Sequence, residues 1–203
     1  AAPLPGLGIE PRIADCSTIA GTQSACRGGA EIVVFCVSSR PPCRDYQRTY
    51  VEGMRCLLQA LERQPPRLFF YTSSTSVYAQ TTGEWVMETS PTEPPREKGK
   101  LLLQTEQLLA NAAQGRFPAY LLRLSGIYGP TRHVLWDQLR DGVDTLPGDG
   151  CHWINQIHRD DIVSAVMVLI KSEIRNPKSE ILNVSDDTPV LQGDYVAWCC
   201  RRM

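Results

Sequence analysis

At 203 residues, with 42% hydrophobic and 21% charged positions, the chain can bury one ordinary globular core, which excludes wholesale disorder. A formal net charge of −1 gives no electrostatic ground for nucleic acid or an anionic membrane as a partner. No apolar run approaches the roughly 18 residues that a membrane-spanning helix requires.

The eight cysteines (Cys16, Cys26, Cys36, Cys43, Cys56, Cys151, Cys199 and Cys200) contain no C-x-x-C pair, so zinc spacing is absent. Cys36 and Cys56 lie inside apolar patterns and read as buried thiols of a reducing compartment, the cytoplasm or an organelle stroma or matrix. The opening Ala1-Ala2-Pro3-Leu4-Pro5-Gly6 lacks the charged region and apolar core of a secretory signal, and the chain reads as a fragment or processed product.

In chain order, residues 9–15 form a weak strand ending in a turn at Cys16-Ser17-Thr18. Residues 31–39 form a second, buried strand rich in β-branched side chains. From 45 to 64, Tyr50, Val51, Met54, Leu57, Leu58 and Leu61 recur at helical spacing, and Pro65-Pro66 stops the helix. Residues 67–78 open as a short apolar run and close in hydroxyls, the pattern of a buried parallel strand. Ligands lie beyond the carboxyl ends of such strands, which marks Thr72, Ser73 and Ser74 as a candidate site; a Ser/Thr-rich turn without function is the other reading.

Residues 79–95 read as a surface loop whose Trp85 either covers a ligand or docks onto a sheet edge. Residues 98–113 are an amphipathic helix with Leu101, Leu102, Thr105, Leu108, Leu109 and Ala112 on one side. Residues 119–127 form another buried strand, followed by a turn at Tyr128-Gly129-Pro130, a short helix at 134–140 and a Gly/Pro-rich loop at 146–150. Residues 154–172 open with polar caps and run into an apolar face, with Asp160 and Asp161 suited to a helix start. A last strand spans 180–185, and a helix begins at Gln192. The pattern is that of an α/β chain without internal repeats.

The segment Thr72-Ser73-Ser74-Thr75-Ser76-Val77-Tyr78 resembles the strand end of the extended short-chain dehydrogenase/reductases, the NAD-dependent epimerase/dehydratase family. Residues 45–61 resemble the helix before that strand. Leu122-Arg123-Leu124-Ser125-Gly126-Ile127-Tyr128-Gly129-Pro130 is similar to the family's R-x-x-N-x-Y-G-P segment, and Asn155-Gln156-Ile157-His158-Arg159-Asp160-Asp161 to its I-H-V-D-D segment. The resemblance implies a doubly wound, Rossmann-like parallel sheet lacking its first βα units. Residues 1–129 would be a partial NAD(P)-binding domain and 130–203 a substrate-side segment interleaved with the last sheet elements. It also implies that Asp15 accepts a hydrogen bond from the adenine amino group. Cys36, Val37, Ser38, Thr72 and Ser73 would neighbour the cofactor, Leu124 and Ser125 would face the nicotinamide, and Ser74 would bond a substrate oxygen.

The resemblance fails where the family's chemistry resides. Its members start the 98–113 helix with Y-x-x-x-K, where the phenol exchanges a proton and the lysine lowers its pKa and holds a ribose. Here the segment reads Pro95-Arg96-Glu97-Lys98-Gly99-Lys100, and no tyrosine lies between Tyr78 and Tyr120. Aligning on Glu106 places Leu102 at the lysine position. Sliding the register so that Lys100 is the lysine places Arg96 at the phenol, and a guanidinium, with a pKa above ~12, carries no proton to and fro near pH 7. Lys100 remains a candidate for holding a ribose, and Tyr78 an alternative proton carrier. Tyr50 and Gly126 each stand where the family has Asn. His158 reads as a structural histidine bonded to nearby backbone.

Neither Gly6-x-Gly8 nor Gly28-Gly29 follows a strand, so the glycine-rich pyrophosphate turn is absent. Roughly 50 residues or more of βα structure are expected ahead of Ala1, with weak or absent NAD(P) binding and open strand edges as consequences. Two functions are compatible with these features. One is an atypical NAD(P)-dependent epimerase, dehydratase or reductase acting on a sugar nucleotide or related small molecule, possible as a homodimer. The other is a non-catalytic NAD(P)-binding or protein-interaction module.

Overall fold

The computed structural model describes residues 4–39, 45–143, 145–146, 148–173 and 178–202. Cys43 and Pro147 of the predicted 146–150 loop lie outside them. The chain falls into two compact units, Ala1–Tyr71 with Arg96–Ala119, and Thr72–Pro95 with Tyr120–Met203.

In the first unit, helix α1 (Ile19–Ala25) starts at Thr18, whose hydroxyl accepts from the Gly21 N–H at 3.1 Å. Strand β1 (Ile32–Phe35) follows, and then a π-helical stretch, Gln47–Glu52, that continues into α2 (Gly53–Ala60). Asp45 serves the start of that stretch, its carboxylate accepting from the Arg48 N–H at 2.8 Å. Of the residues that the helical spacing selects, Tyr50, Val51, Met54, Leu57 and Leu61 are buried and Leu58 is half-buried. Strand β2 (Leu68–Ser74) pairs in parallel with β1, from Ile32 opposite Leu68 to Phe35 opposite Tyr71. Helix α3 (Glu97–Ala113) buries Leu101, Leu102, Thr105 and Leu109, and also Glu106, which is 2% exposed.

Three expectations change in this unit. Residues 9–15 are not a strand. Pro11 lacks an N–H, and Ile13 stands fully exposed, so the segment has no ladder to join. The second strand is four residues long and buried on one side only: Phe35 is 4% exposed, whereas Ile32 and Val34, alternating with it, are 38% and 45% exposed. Cys36, just beyond it, is exposed, whereas Cys56 is buried as expected.

The second unit takes the end of β2, a 3₁₀ turn (Thr75–Val77) and strand β3 (Ala119–Leu124), every residue of which is buried. The predicted 119–127 strand breaks at Ser125. The chain then enters β4 (Gly126–Tyr128), which belongs to a separate two-stranded sheet with the later β6. Gly126 stands at a tight approach: a Cβ there would sit 3.2 Å from the Asn155 carbonyl oxygen that its own N–H bonds. Helix α4 (Val134–Arg140) is followed by β5 (Trp153–Ile154), β6 (Gln156–His158) and α5 (Arg159–Glu173), with Asp160 and Asp161 in the first turn of α5. Strand β7 (Glu180–Val184) pairs in parallel with β3, from Tyr120 opposite Glu180 to Leu124 opposite Val184. The short β8 (Val190–Leu191), antiparallel to β5, leads into α6 (Gln192–Cys200). The two- and three-residue strands β5, β6 and β8 carry no periodic signal of their own, and β8 rather than residues 180–185 is the last strand.

The main sheet has the order β1-β2-β3-β7. With helices between its parallel strands, the chain has the Rossmann-like α/β fold that its pattern implied. Among the described residues no helix is long and apolar enough to cross a membrane.

Candidate functional site

The candidate residues fall into two groups, one in each compact unit. In the first unit the turn at Asp15 is held by side chains. The Asp15 carboxylate accepts from the Ser17 N–H at 2.9 Å, the Ser17 hydroxyl at 2.6 Å and Arg48 Nη2 at 2.6 Å, while Arg48 Nε donates to the Ser17 hydroxyl at 2.7 Å. The Asp15 carbonyl accepts from the Thr18 N–H and hydroxyl at 3.2 and 3.1 Å. Gly21 must be glycine, since a Cβ would lie 2.2 Å from that carbonyl oxygen. The Ser17 bonds, with the Arg48 charge adding to them, hold the Asp15 carboxyl below the ordinary aspartate range. A depressed carboxyl steadies the turn at neutral pH and loses that contribution as pH falls through its folded value. The Ser17 amide proton should therefore shift, in an NMR pH titration, only below the ordinary aspartate range. An Arg48→Ala variant should titrate at higher pH.

Beside this turn lies a cavity of about 220 Å³, lined by Ala14, Cys16, Thr22, Cys26, Phe35 and Val37 together with Leu57 and the Arg12 stem. The polar groups at its wall are already engaged. The Thr22 hydroxyl reaches the Thr18, Ile19 and Cys56 carbonyls, and Arg12 Nη1 donates to the Ala25 and Arg27 carbonyls at 2.9 and 2.8 Å. Burial pushes the Cys16 and Cys26 thiols up, so both are neutral lining groups near pH 7. An apolar cavity of ~150 Å³ accepts a benzene ring, so this one has room for a single planar heterocycle. Of the three residues after β1, Val37 lines it; Cys36 and Ser38 are exposed and do not. Sequence reasoning missed Ser17 and Arg48 as partners of Asp15; Arg48 meets Asp15 across 33 residues.

The start of α3 offers no relay. Lys100 is exposed, and Lys98 Nζ lies 5.6 Å from the centre of the Tyr46 ring. Leu102 is 2% exposed.

In the second unit the candidates stand at the carboxyl ends of β2 and β3. Ser73 is buried and Thr72 half-buried, and Ser74 caps the following turn by accepting from the Ser76 N–H at 3.2 Å. Leu124 and Ser125 are 4% and 5% exposed. The Ser125 N–H donates to the Val184 carbonyl, but its hydroxyl is buried without a hydrogen-bond partner. Such an orphan costs about 1–3 kcal/mol unless a further group meets it.

Next to these residues is a polar network in which Arg123 is buried and its partners are half-buried. Arg123, 3% exposed, donates from Nη1 to the Tyr78 phenol oxygen at 2.8 Å and to the Glu88 carbonyl at 3.4 Å. Its guanidinium also lies 5.0 Å from the Tyr78 ring centre. The phenol donates to Asn183 Oδ1 at 2.7 Å. The Asn183 N–H donates to Glu88 Oε1 at 2.7 Å, and its side-chain amide donates to the Val86 carbonyl at 3.5 Å. Tyr78, the alternative proton carrier, thus has its hydroxyl committed to the fold. Trp85 is 88% exposed, so it does not dock onto a sheet edge. His158 Nδ1 accepts from the Asp160 N–H at 3.3 Å, the backbone role expected of it, and the ring meets Tyr128 edge-on at 5.2 Å.

The model of the NAD dependent epimerase/dehydratase family matches residues 35–185. Protein YeeZ of Escherichia coli K12 is 34% identical over 124 residues, 61% of this chain and 42% of YeeZ. The chain therefore spans about two fifths of the curated relative it matches. A solved structure from Methylobacillus flagellatus, assigned to the NAD-dependent epimerases/dehydratases, is 33% identical with a TM-score of 0.81, over 96% of this chain and 67% of that one. MoeE5, solved with UDP-glucose and NAD, is 24% identical with a TM-score of 0.71, over 85% of this chain and 62% of that one, and shares the fold.

Proposed function

The chain belongs to the NAD dependent epimerase/dehydratase family, and from that premise we propose that it binds the adenine end of NAD or NADP in its first unit and a sugar nucleotide or related small molecule through its second. The observation that carries this reading is the apolar cavity beside Asp15. It has the volume of one heterocycle and is lined by Ala14 and Cys16, the chain neighbours of Asp15, whose carboxylate is the acceptor that would match an exocyclic amino group. Val37 and Cys16 would contact the ring, and Asp15 would accept from the amino group. A nicotinamide cofactor supplies hydride chemistry when bound; the chain's own residues here bind and orient it. Within this chain the groups that would hold the cofactor are those at the adenine end and the polar strand ends. MoeE5 holds UDP-glucose, and the Ser74 and Ser125 hydroxyls are the groups through which this chain would meet a comparable substrate. On this reading the first compact unit is the cofactor side, and the substrate side combines Ser74 and Ser125 with residues 130–203.

Titration of the protein with NADH, followed by fluorescence, tests the reading. Asp15→Asn keeps the shape but replaces an acceptor with a donor facing the amino group. It is expected to weaken NADH roughly tenfold, about 1.4 kcal/mol, with a small loss of stability, up to about 1 kcal/mol, from the exposed Arg48 pair. Equal affinities for the two proteins would refute the adenine assignment.

A second reading, a binding module without turnover, is favoured by one cluster of observations. Leu102 is buried, Lys100 is exposed, and the Tyr78 hydroxyl is engaged, so no described residue of α3 or of the 75–78 turn supplies the family's proton carrier. NADH binding without absorbance change across a panel of sugar nucleotides would decide for it; turnover would decide against it.

A further inference from the structure

The strap of residues 79–95 in the second unit is fastened at several points along its length. Gln80 Nε2 donates to the Pro91 carbonyl at 3.1 Å and so ties its two ends together. Glu84 Oε2 accepts from the Thr82 N–H at 2.9 Å and the Thr82 hydroxyl at 2.5 Å. The Met87 N–H donates to Ser90 Oγ at 2.9 Å, and the Ser90 N–H donates back to the Met87 carbonyl at the same distance. Asn183 holds Val86 and Glu88, and Arg123 the Glu88 carbonyl. Gly83, at φ +87°, lies against the Trp153 indole, where a Cβ would approach Cδ1 to 3.3 Å.

Between these fixed points two large apolar side chains stand in the open. Trp85 and Met87 are 88% and 62% exposed, whereas Val86 and Glu88 are half-buried. Trp153, the indole against Gly83, is itself 50% exposed. A slack loop could lay its indole on neighbouring surface, but here hydrogen bonds hold the backbone on both sides of Trp85. Single exposed apolar residues are ordinary; a Trp and a Met on one braced segment are the residue types that interfaces concentrate. A braced segment also loses little conformational freedom on binding. Charge sets what covers it. Residues 79–95 include Glu84, Glu88 and Glu93 and no Lys or Arg, and Glu84 and Glu93 are exposed. Chiefly through the bond from the Thr82 hydroxyl, the Glu84 carboxyl stays below the ordinary glutamate range and is ionised near pH 7. An open indole next to an ionised carboxylate suits a guanidinium, which stacks on the ring and pairs with the carboxylate. The same charge turns away nucleic acid and anionic lipid.

We propose that residues 84–87 of the strap, with Trp85 at their centre, form a docking surface for an arginine-bearing, basic segment of a partner protein. The surface acts whether or not cofactor or substrate is bound, so it stands apart from the functional reading above.

The test uses three fluorescein-labelled decapeptides, in which glycine alternates with arginine, lysine or glutamate, titrated with the whole chain and followed by anisotropy. The arginine peptide is expected to bind, the lysine peptide to bind more weakly and the glutamate peptide not at all. Trp85→Ala is expected to weaken the arginine peptide roughly tenfold, the effect of losing a central aromatic anchor. Glu84→Gln should weaken it about threefold, as for one exposed ion pair. Glu10→Gln removes the same charge from an exposed site in the other unit and should leave the affinity within about twofold. Because Trp85 is exposed, Trp85→Ala should keep the wild-type thermal midpoint; Trp85→Phe, which retains a ring, is the second variant and should lose less affinity. An arginine peptide that does not bind, or binds wild type and Trp85→Ala equally, overturns the proposal. So does an equal loss in Glu84→Gln and Glu10→Gln, which would mean general attraction by charge. A concentration-dependent dimer abolished by Trp85→Ala would assign the surface to a second copy. Shielding of Trp85 from iodide quenching by UDP-glucose or NADH would assign it to a small ligand. Either result overturns the proposal.

Discussion

Leu102→Lys, alone or combined with Lys98→Tyr, is expected to destabilise the protein by about 3 kcal/mol or more and to install no proton relay. Aligned on Glu106, these two positions are the ones at which the family carries its lysine and tyrosine, so the double substitution is the obvious attempt at restoration. The surroundings forbid it. Leu102 is 2% exposed, on the face of α3 that also buries Leu101, Thr105 and Leu109. A lysine there gives up leucine packing and must either bury an ammonium or lose its proton. Position 98 is exposed beside Tyr46, so Lys98→Tyr alone should change stability by no more than about 0.5 kcal/mol. Urea unfolding of the three variants separates these cases. A Leu102→Lys protein with the wild-type midpoint would show that the buried face of α3 is misassigned.

The second large effect contrasts two strands that look alike on paper. Phe70→Ala is expected to cost about 3–5 kcal/mol, the sum of lost transfer energy and the cavity left behind. Val34→Ala should cost less than about 1 kcal/mol. Phe70 is 0% exposed in the fully buried run from Leu68 to Tyr71, whereas Val34 is 45% exposed on β1. Both lie in runs of apolar, β-branched or aromatic residues, and composition predicts no difference between them. The contrast comes from position in the sheet, with β2 between two neighbours and β1 at the end of the strand order. Thermal or urea midpoints measured side by side check it; comparable losses would mean that β1 is covered on both faces.

How far the candidate site could be read in advance differs between its two halves. The Thr72-Ser73-Ser74 cluster announced itself, because a seven-residue apolar-to-hydroxyl strand is a local pattern, and β2 ends at Ser74. The missing tyrosine before α3 was equally legible. The Asp15 turn was found only in part: the aspartate was singled out, but not the Arg48 and Ser17 side chains that hold its carboxylate. The partners that meet around Arg123 were not foreseen, since the Tyr78–Asn183 bond spans 105 residues. Each of these residues, read alone, is an ordinary polar residue at the edge of an element.

Local periodicity settled the helices α2 and α3, the parallel-sheet strands β2, β3 and β7, and the α/β class, because side-chain spacing of 3.6 or 2 is written in neighbouring residues. Tertiary structure alone decided that residues 9–15 form no strand, that β1 is buried on one side, that the 119–127 run breaks at Ser125, and which polar groups meet in the strap network. A strand exists only where another chain segment completes its hydrogen bonds, and a buried charge only where distant partners compensate it. Both conditions depend on where the chain returns, which no short window of residues contains.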